Sequence, residues 1–295
     1  MSETKKRLYY LDFAKLFAIF LVINSHFVPS FYNNPPYFIT CIMNGLSGKF
    51  GVIMFAEIAG YFAYMSGKNK SLWQYTIERY FSFFDACFVA CVVYYLVNYH
   101  GCRDVASWGM VIGQSVFLGD FFCPSLWFLS DFLFGSILCF LLGKYEVVPI
   151  DSFILFLILF SKNYPFVACC VFGAILPWIL DCHVKAFDLK ITKVFMFIFF
   201  FVFVTFYRKE NDARYFVDTF RVAILLLFIK KNSFIVPVYE NKIVQFIGSK
   251  TISLLIAHNI VTFFLSNSQL SLALQNITYT LYYLDYYFSF ANGGC

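Results

Sequence analysis

The chain has 295 residues, 61% of them hydrophobic and only 13% charged, with a mean hydropathy of +0.72. A soluble domain of this size carries about twice that charge and far less apolar content, so the composition excludes an ordinary soluble enzyme and points to an integral membrane protein. The net charge of +5 is spread among loops and forms no basic patch, so it implies no nucleic-acid partner and reports orientation instead.

The length accommodates about nine to eleven spans of roughly 20 residues. We therefore expect an all-α, polytopic integral membrane helical bundle of about ten transmembrane helices, forming one domain over residues 1–295. Lys5, Lys6 and Arg7 precede a first span at residues 8–28, which puts the N-terminus in the cytoplasm by the positive-inside rule. That run is too long, and too charged at its start, for a cleaved signal peptide, and reads as a retained span. Asn33, Asn34, Pro35 and Pro36 break any helix, making residues 29–45 an outer loop. A second span at 46–66 returns inward to Lys68 and Lys70, and Arg79 opens a third at 79–99.

Residues 100–124, punctuated by Gly109, Gly113 and Gly119, read as an outer loop with a re-entrant or interfacial helix. A fourth span at 125–143 ends at Lys144, and shorter ones at 147–161 and 164–181 turn at Asn163, Tyr164 and Pro165. Lys185, Lys190 and Lys193 mark a cytoplasmic loop before a seventh span at 194–207, and the segment from Arg208 to Arg214 is outer. An eighth span at 215–229 returns to Lys230 and Lys231; the ninth and tenth cover 243–266 and 272–290. This count puts both termini in the cytoplasm; the expected location is a cell membrane, of the bacterial inner-membrane type.

Ionisable side chains inside such spans cost about 2.5 to 3.5 kcal/mol each on insertion scales, so those present usually serve a function. The opening helix, LDFAKLFAIFLVINSH, carries three: Asp12, Lys15 and His26. Asp12 and Lys15 are three apart and share a face. His26 lies 14 residues beyond Asp12, about 21 Å up the helix and on nearly the same face. Glu57 interrupts the second span, and Asp85, Asp131, Arg221 and His258 are also intramembrane or nearly so. A charge pair below an imidazole suits proton transfer in a polar cavity, because a neutral imidazole accepts a proton from an attacking hydroxyl. Helix packing by the charge pair and an interfacial, hydrogen-bonded His26 is the structural alternative.

No His, Cys or Asp spacing suits a metal, and there is neither a Ser nucleophile elbow nor a phosphate-cradling glycine loop. Of the ten cysteines, Cys41, Cys87, Cys91, Cys139, Cys169 and Cys170 lie inside apolar runs and read as small buried hydrophobes. Cys102 and Cys123 flank the uncertain outer loop, leaving one bridge open there.

The stretch RLYYLDFAKLFAIFLVINSH resembles the opening signature of the acyltransferase 3 family, integral membrane enzymes that O-acylate sugars and other envelope substrates. Asp12, Lys15 and His26 match its Leu-Asp, its basic residue three later and its outer His. FAEIAGYF at 55–62 is similar to the family's aromatic Ser-Gly segment, followed by a basic residue, here Arg79. SLWFLSDF at 125–132 resembles its Leu-Trp-Phe-Leu segment, and IGSKTISLLIAHNIV at 247–261 its late Gly-Lys-x-Ser helix ending in His. The likeness runs from about residue 7 to 265. Ala59 stands where the family usually has Ser, Glu57 where an apolar residue is common, and the second Arg often found after Arg79 is missing.

The resemblance implies an O-acyltransferase moving an acyl group, usually acetyl, from cytoplasmic acyl-coenzyme A to a hydroxyl of an envelope glycan or lipid-linked saccharide. Arg79, with Lys68 and Lys70, would hold the donor's phosphates, which cannot enter the bilayer core. His26 would act as general base or as transient acyl carrier, with Asp12 and Lys15 orienting the first helix. Trp127, His258 and Glu57 would line the donor and substrate site. The rival reading is a transporter or flippase for an envelope glycan, which predicts pseudo-symmetric halves and broken helices that this sequence does not display. A non-catalytic sensor sharing the fold predicts loss of the helix-one histidine, and His26 is present.

Overall fold

The computed structural model describes residues 8–31, 48–98, 128–181, 212–251 and 254. Every element among them is helical: α1 Tyr9–Phe31, α2 Gly48–Gly67, α3 Leu72–Asn98, α4 Phe128–Lys144, α5 Pro149–Ser161, α6 Pro165–Gly173, α7 Leu176–Asp181, α8 Asp212–Lys231, α9 Val236–Tyr239 and α10 Lys242–Ser249. The expected all-α class holds. Within the described residues one helix, α2, is both long and apolar enough to cross a bilayer, while α5 and the α6–α7 stretch are shorter apolar helices.

The bundle is arranged around α2, which packs against α1, α4, α6 and α8. Most of its residues are buried, including Phe50, Ile53, Met54 and Ile58. Small residues allow this crowding. A Cβ on Gly60 would strike the Cys170 carbonyl of α6, and one on Gly173 would strike the Glu57 carbonyl of α2. Backbone-to-backbone approach of this kind needs glycine at the contact and suits helices that gain no hydrophobic drive from leaving lipid.

Antiparallel pairing of α1 and α2 gives the bundle two ends. Ser25 of α1 meets Gly48 of α2 at the distal end, and Lys15 faces Phe62 towards the proximal end. Lys230 at the end of α8 donates to the Leu180 carbonyl at 2.7 Å and to Asp181 at 2.9 Å, closing the proximal end beside Tyr10. Phe153, Phe156, Phe160, Phe172, Phe216 and Phe220 fill the space between α5, α6 and α8, with ring centroids 5.0–6.4 Å apart.

Several element boundaries differ from the sequence expectation for local reasons. Ser71 accepts the Gln74 amide through its hydroxyl at 3.1 Å, so α3 starts at Leu72, well before Arg79. The expected span at 164–181 is two helices separated at Ala174 and Ile175. The expected span at 243–266 opens with a separate helix, α10, capped by the Asn241 side chain on the Ile243 amide and stopped at Lys250. The turn at Asn163 is as expected, with φ of 62°.

Candidate functional site

Asp12 and Lys15 form an ion pair of 2.7 Å on the first turns of α1, with the Asp12 side chain 8% and the Lys15 side chain 21% exposed. The Lys15 ammonium also sits 5.8 Å from the centre of the Phe62 ring, so the expected aromatic segment of α2 comes directly onto the α1 pair. The late Gly-Ser-Lys segment arrives on the other side. Gly248 of α10 is buried against the Asp12 backbone, where a Cβ would lie 2.5 Å from the carbonyl oxygen. Three stretches far apart in the chain thus converge on the Asp12–Lys15 pair.

Beyond Phe62 a cleft of about 210 Å³ opens between α2 and α3, lined by Phe62, Ser66, Lys70, Tyr75, Glu78, Arg79 and Ser82. The Ser66 and Ser82 hydroxyls donate to the Phe62 and Arg79 carbonyls of their own helices, both at 2.7 Å. Tyr75 is buried, stacked on Phe140 of α4 at 4.4 Å, and the Arg79 guanidinium lies 6.0 Å from its ring centre. Arg79 is therefore held beside an aromatic ring that is itself fixed by the bundle.

Lys70 pairs with Glu78, which also accepts a hydrogen bond from Gln74 at 3.0 Å. These bonds, led by the one from Lys70, hold the Glu78 carboxyl below its ordinary value of 4.5. Lys68 pairs with Glu146 of the α4–α5 turn at 3.9 Å. Of the three cations expected to hold phosphates, Lys68 and Lys70 thus have carboxylate partners, and in the cleft a ligand's phosphate would compete with Glu78 for Lys70.

Glu57 stands apart from this cleft. Five residues before Phe62 on α2, it points about 140° away around the helix. It is fully buried, and neither carboxylate oxygen has a hydrogen-bond partner among the described residues. Across from it α8 carries the buried Asp218–Arg221 ion pair, with Arg221 5.1 Å from the Phe50 ring, and Cys169 of α6 lies 3.3 Å from the Thr219 hydroxyl. Glu57 therefore belongs to a second polar locus between α2, α6 and α8, and the structure does not bring it to Arg79.

His26 sits on α1 eleven residues beyond Lys15, about 16 Å along the axis and about 20° round it, towards the distal end. Its side chain, that of Asp85, and all of Trp127 and His258 lie outside the described residues, as do Cys102 and Cys123. Cys139, Cys169 and Cys170 are buried free thiols, and the Cys139 thiol donates to the Cys170 carbonyl at 3.0 Å. Among the described residues no three His, Cys, Asp or Glu side chains gather as metal ligands. Tyr75 and Glu78 were not singled out from sequence, although Tyr75 precedes Arg79 by four residues and so shares its helix face.

The profile described as an acyltransferase domain matches residues 8–284, nearly the whole chain. The chain belongs to the acyltransferase 3 family, whose members are typically membrane-bound, and it is an acyltransferase. This favours acyl transfer over the transport reading. No curated protein and no solved structure matches the chain.

Proposed function

We propose that the protein is a multi-pass membrane O-acyltransferase that moves an acyl group, most simply acetyl, from cytoplasmic acyl-coenzyme A to a hydroxyl of an envelope or surface glycan or its lipid-linked precursor. The observation that carries this reading is the alignment of Lys15, Phe62, Ser66 and Arg79 at one end of the bundle with the His26 position further along the same stripe of α1. A donor whose charged part stays at the proximal cleft would direct its acyl-bearing arm along α1.

In this reading Arg79, backed by Tyr75, grips the anionic part of the donor. Asp12 and Lys15 hold α1 in register with α2 and α10. At the distal end the His26 imidazole takes the proton of the acceptor hydroxyl as its oxygen attacks the thioester carbonyl. The carbon–sulfur bond then breaks, the sulfur leaves as the coenzyme A thiolate, and the proton returns to it directly or through water. Ion pairs inside a water-poor bundle keep this geometry without reorganising during the reaction. Trp127 and His258, from the two remaining family-like segments, are assigned to the acceptor end.

The test uses membranes containing wild-type protein or His26→Ala, incubated with acetyl-coenzyme A labelled in the acetyl group and with envelope glycan. Label should enter glycan with the wild type and stay at the no-protein level with His26→Ala. Equal incorporation by both would remove His26 from the reaction.

A further inference from the structure

The proximal end of the bundle carries a surface that acyl transfer does not account for. Between Lys231 and Lys250 the chain leaves α8, makes the short α9 and then α10, with Glu240 the sole acid in that stretch. On α10 the inner stripe is Gln245 and Gly248: the Gln245 amide donates to the Tyr239 and Glu240 carbonyls at 3.3 and 3.0 Å, and Gly248 seats on Asp12. The opposite stripe holds Lys242, Ile243, Phe246 and Lys250, all exposed. Ile243 is 68% and Phe246 67% exposed, and Phe234 ahead of α9 is 86% exposed.

Two large apolar side chains on an outward helix face, bracketed by lysines, suit neither bulk water nor the hydrocarbon core. They suit the boundary between the two, where rings and aliphatic chains enter the acyl layer and ammonium groups reach lipid phosphates. We propose that α10 and the Phe234 turn lie on the anionic surface of the proximal leaflet, with Phe234, Ile243 and Phe246 immersed and Lys242 and Lys250 bound to acidic phospholipid headgroups. The charge on the stripe is uniformly positive, which selects an acidic lipid over a zwitterionic one. Because the other side of α10 backs Asp12, the lipid surface also supports the helix that carries the Asp12–Lys15 pair. This inference rests on the bilayer setting of the family and not on the acyl-transfer chemistry.

The test reads fluorescence of the full-length protein in nanodiscs, comparing Phe246→Trp and Ile243→Trp with wild type. With brominated acyl chains the added tryptophan emission should be quenched. Bromine carried only by the acidic lipid should quench it more than the same fraction of brominated zwitterionic lipid. Lys242→Gln/Lys250→Gln in the Phe246→Trp background should lose that excess while keeping quenching by uniformly brominated lipid, which shows that the helix is still seated. No quenching in either tryptophan variant would mean that water, another protein or a second copy covers this face, and would overturn the proposal. Equal quenching by the two lipids would overturn its acidic-lipid part.

Discussion

Gly248 and Asp12 are in backbone contact although 236 positions separate their numbers: a Cβ on Gly248 would lie 2.5 Å from the Asp12 carbonyl oxygen and 2.9 Å from its Cβ. Backbone cannot yield as a flexible side chain does, so Gly248→Ala must push α10 off α1. Overpacking of this kind costs about 1–3 kcal/mol. The expected result is a lower unfolding temperature in detergent together with reduced acyl transfer, whereas Ser249→Ala, on the exposed side of α10, leaves both unchanged.

The Asp12–Lys15 pair separates stability from chemistry. Lys15→Met removes the cation 2.7 Å from the Asp12 carboxylate in a nearly closed site, and since Lys15 keeps some solvent contact the cost should fall below the usual range for a buried pair, at about 2 kcal/mol. Asp12→Asn/Lys15→Met removes both charges and should recover most of that loss. Thermal unfolding of Lys15→Met, Asp12→Asn and the double variant measures the coupling. Acyl transfer should not recover in the double variant if the pair also guides the donor; full recovery would reduce its role to packing.

Much of this arrangement was legible from residue type and spacing, and the parts that were not share a cause. Asp12, Lys15 and Glu57 stood out because charge in an apolar run is costly, and the turn at Asn163 because Asn tolerates positive φ. Hydropathy does not show where packing interrupts a run: 243–266 reads as one apolar stretch, but its first turns are diverted onto α1 by the Gly248 contact and end at Lys250. Lys68 reads as available for phosphate from sequence because its partner, Glu146, is supplied by a turn 78 positions further along the chain. Glu57 lies inside the family-like segment 55–62 whose last residue, Phe62, lines the cleft, while the helical rotation between Glu57 and Phe62 turns Glu57 towards α8.

Glu57 carries a cost that its neighbourhood does not relieve. Its oxygens are fully buried without hydrogen-bond partners among the described residues, and Asp218 faces it from α8. An unsatisfied buried polar group costs about 1–3 kcal/mol, and more when charged. Glu57→Leu should therefore raise the unfolding temperature. If the same variant loses acyl transfer, Glu57 is retained for function at the expense of stability; unchanged activity would confine it to a structural locus.

Glu78 sets a pH dependence at the mouth of the cleft. Its folded-state carboxyl is held below the ordinary glutamate value of 4.5, chiefly by Lys70 and then by Gln74. The Lys70–Glu78 contact is thus fully present above the unfolded-state value and is lost as pH falls through the lower, folded one. Lys70 should then be released to solvent, and carbon-detected NMR of a Glu-labelled sample should show the Glu78 carboxyl titrating below the ordinary glutamate value of 4.5. Lys70→Gln should return it to the ordinary range.

Arg79 and Glu78 have opposite effects on a donor that enters with its phosphates. Arg79→Gln removes a cation held beside Tyr75 and should raise the apparent KM for acetyl-coenzyme A by about tenfold, the effect of losing one charge-assisted hydrogen bond. Because that contact forms equally in the ground and transition states, kcat at saturating donor should change little. Glu78→Gln frees Lys70 and should lower KM, since the phosphate no longer displaces a carboxylate. Steady-state kinetics on purified protein in nanodiscs distinguishes the cases: a fall in kcat with unchanged KM for Arg79→Gln would move that residue from gripping the donor to the reacting centre, and a raised KM for Glu78→Gln would mean that the carboxylate orders the cleft instead of guarding it.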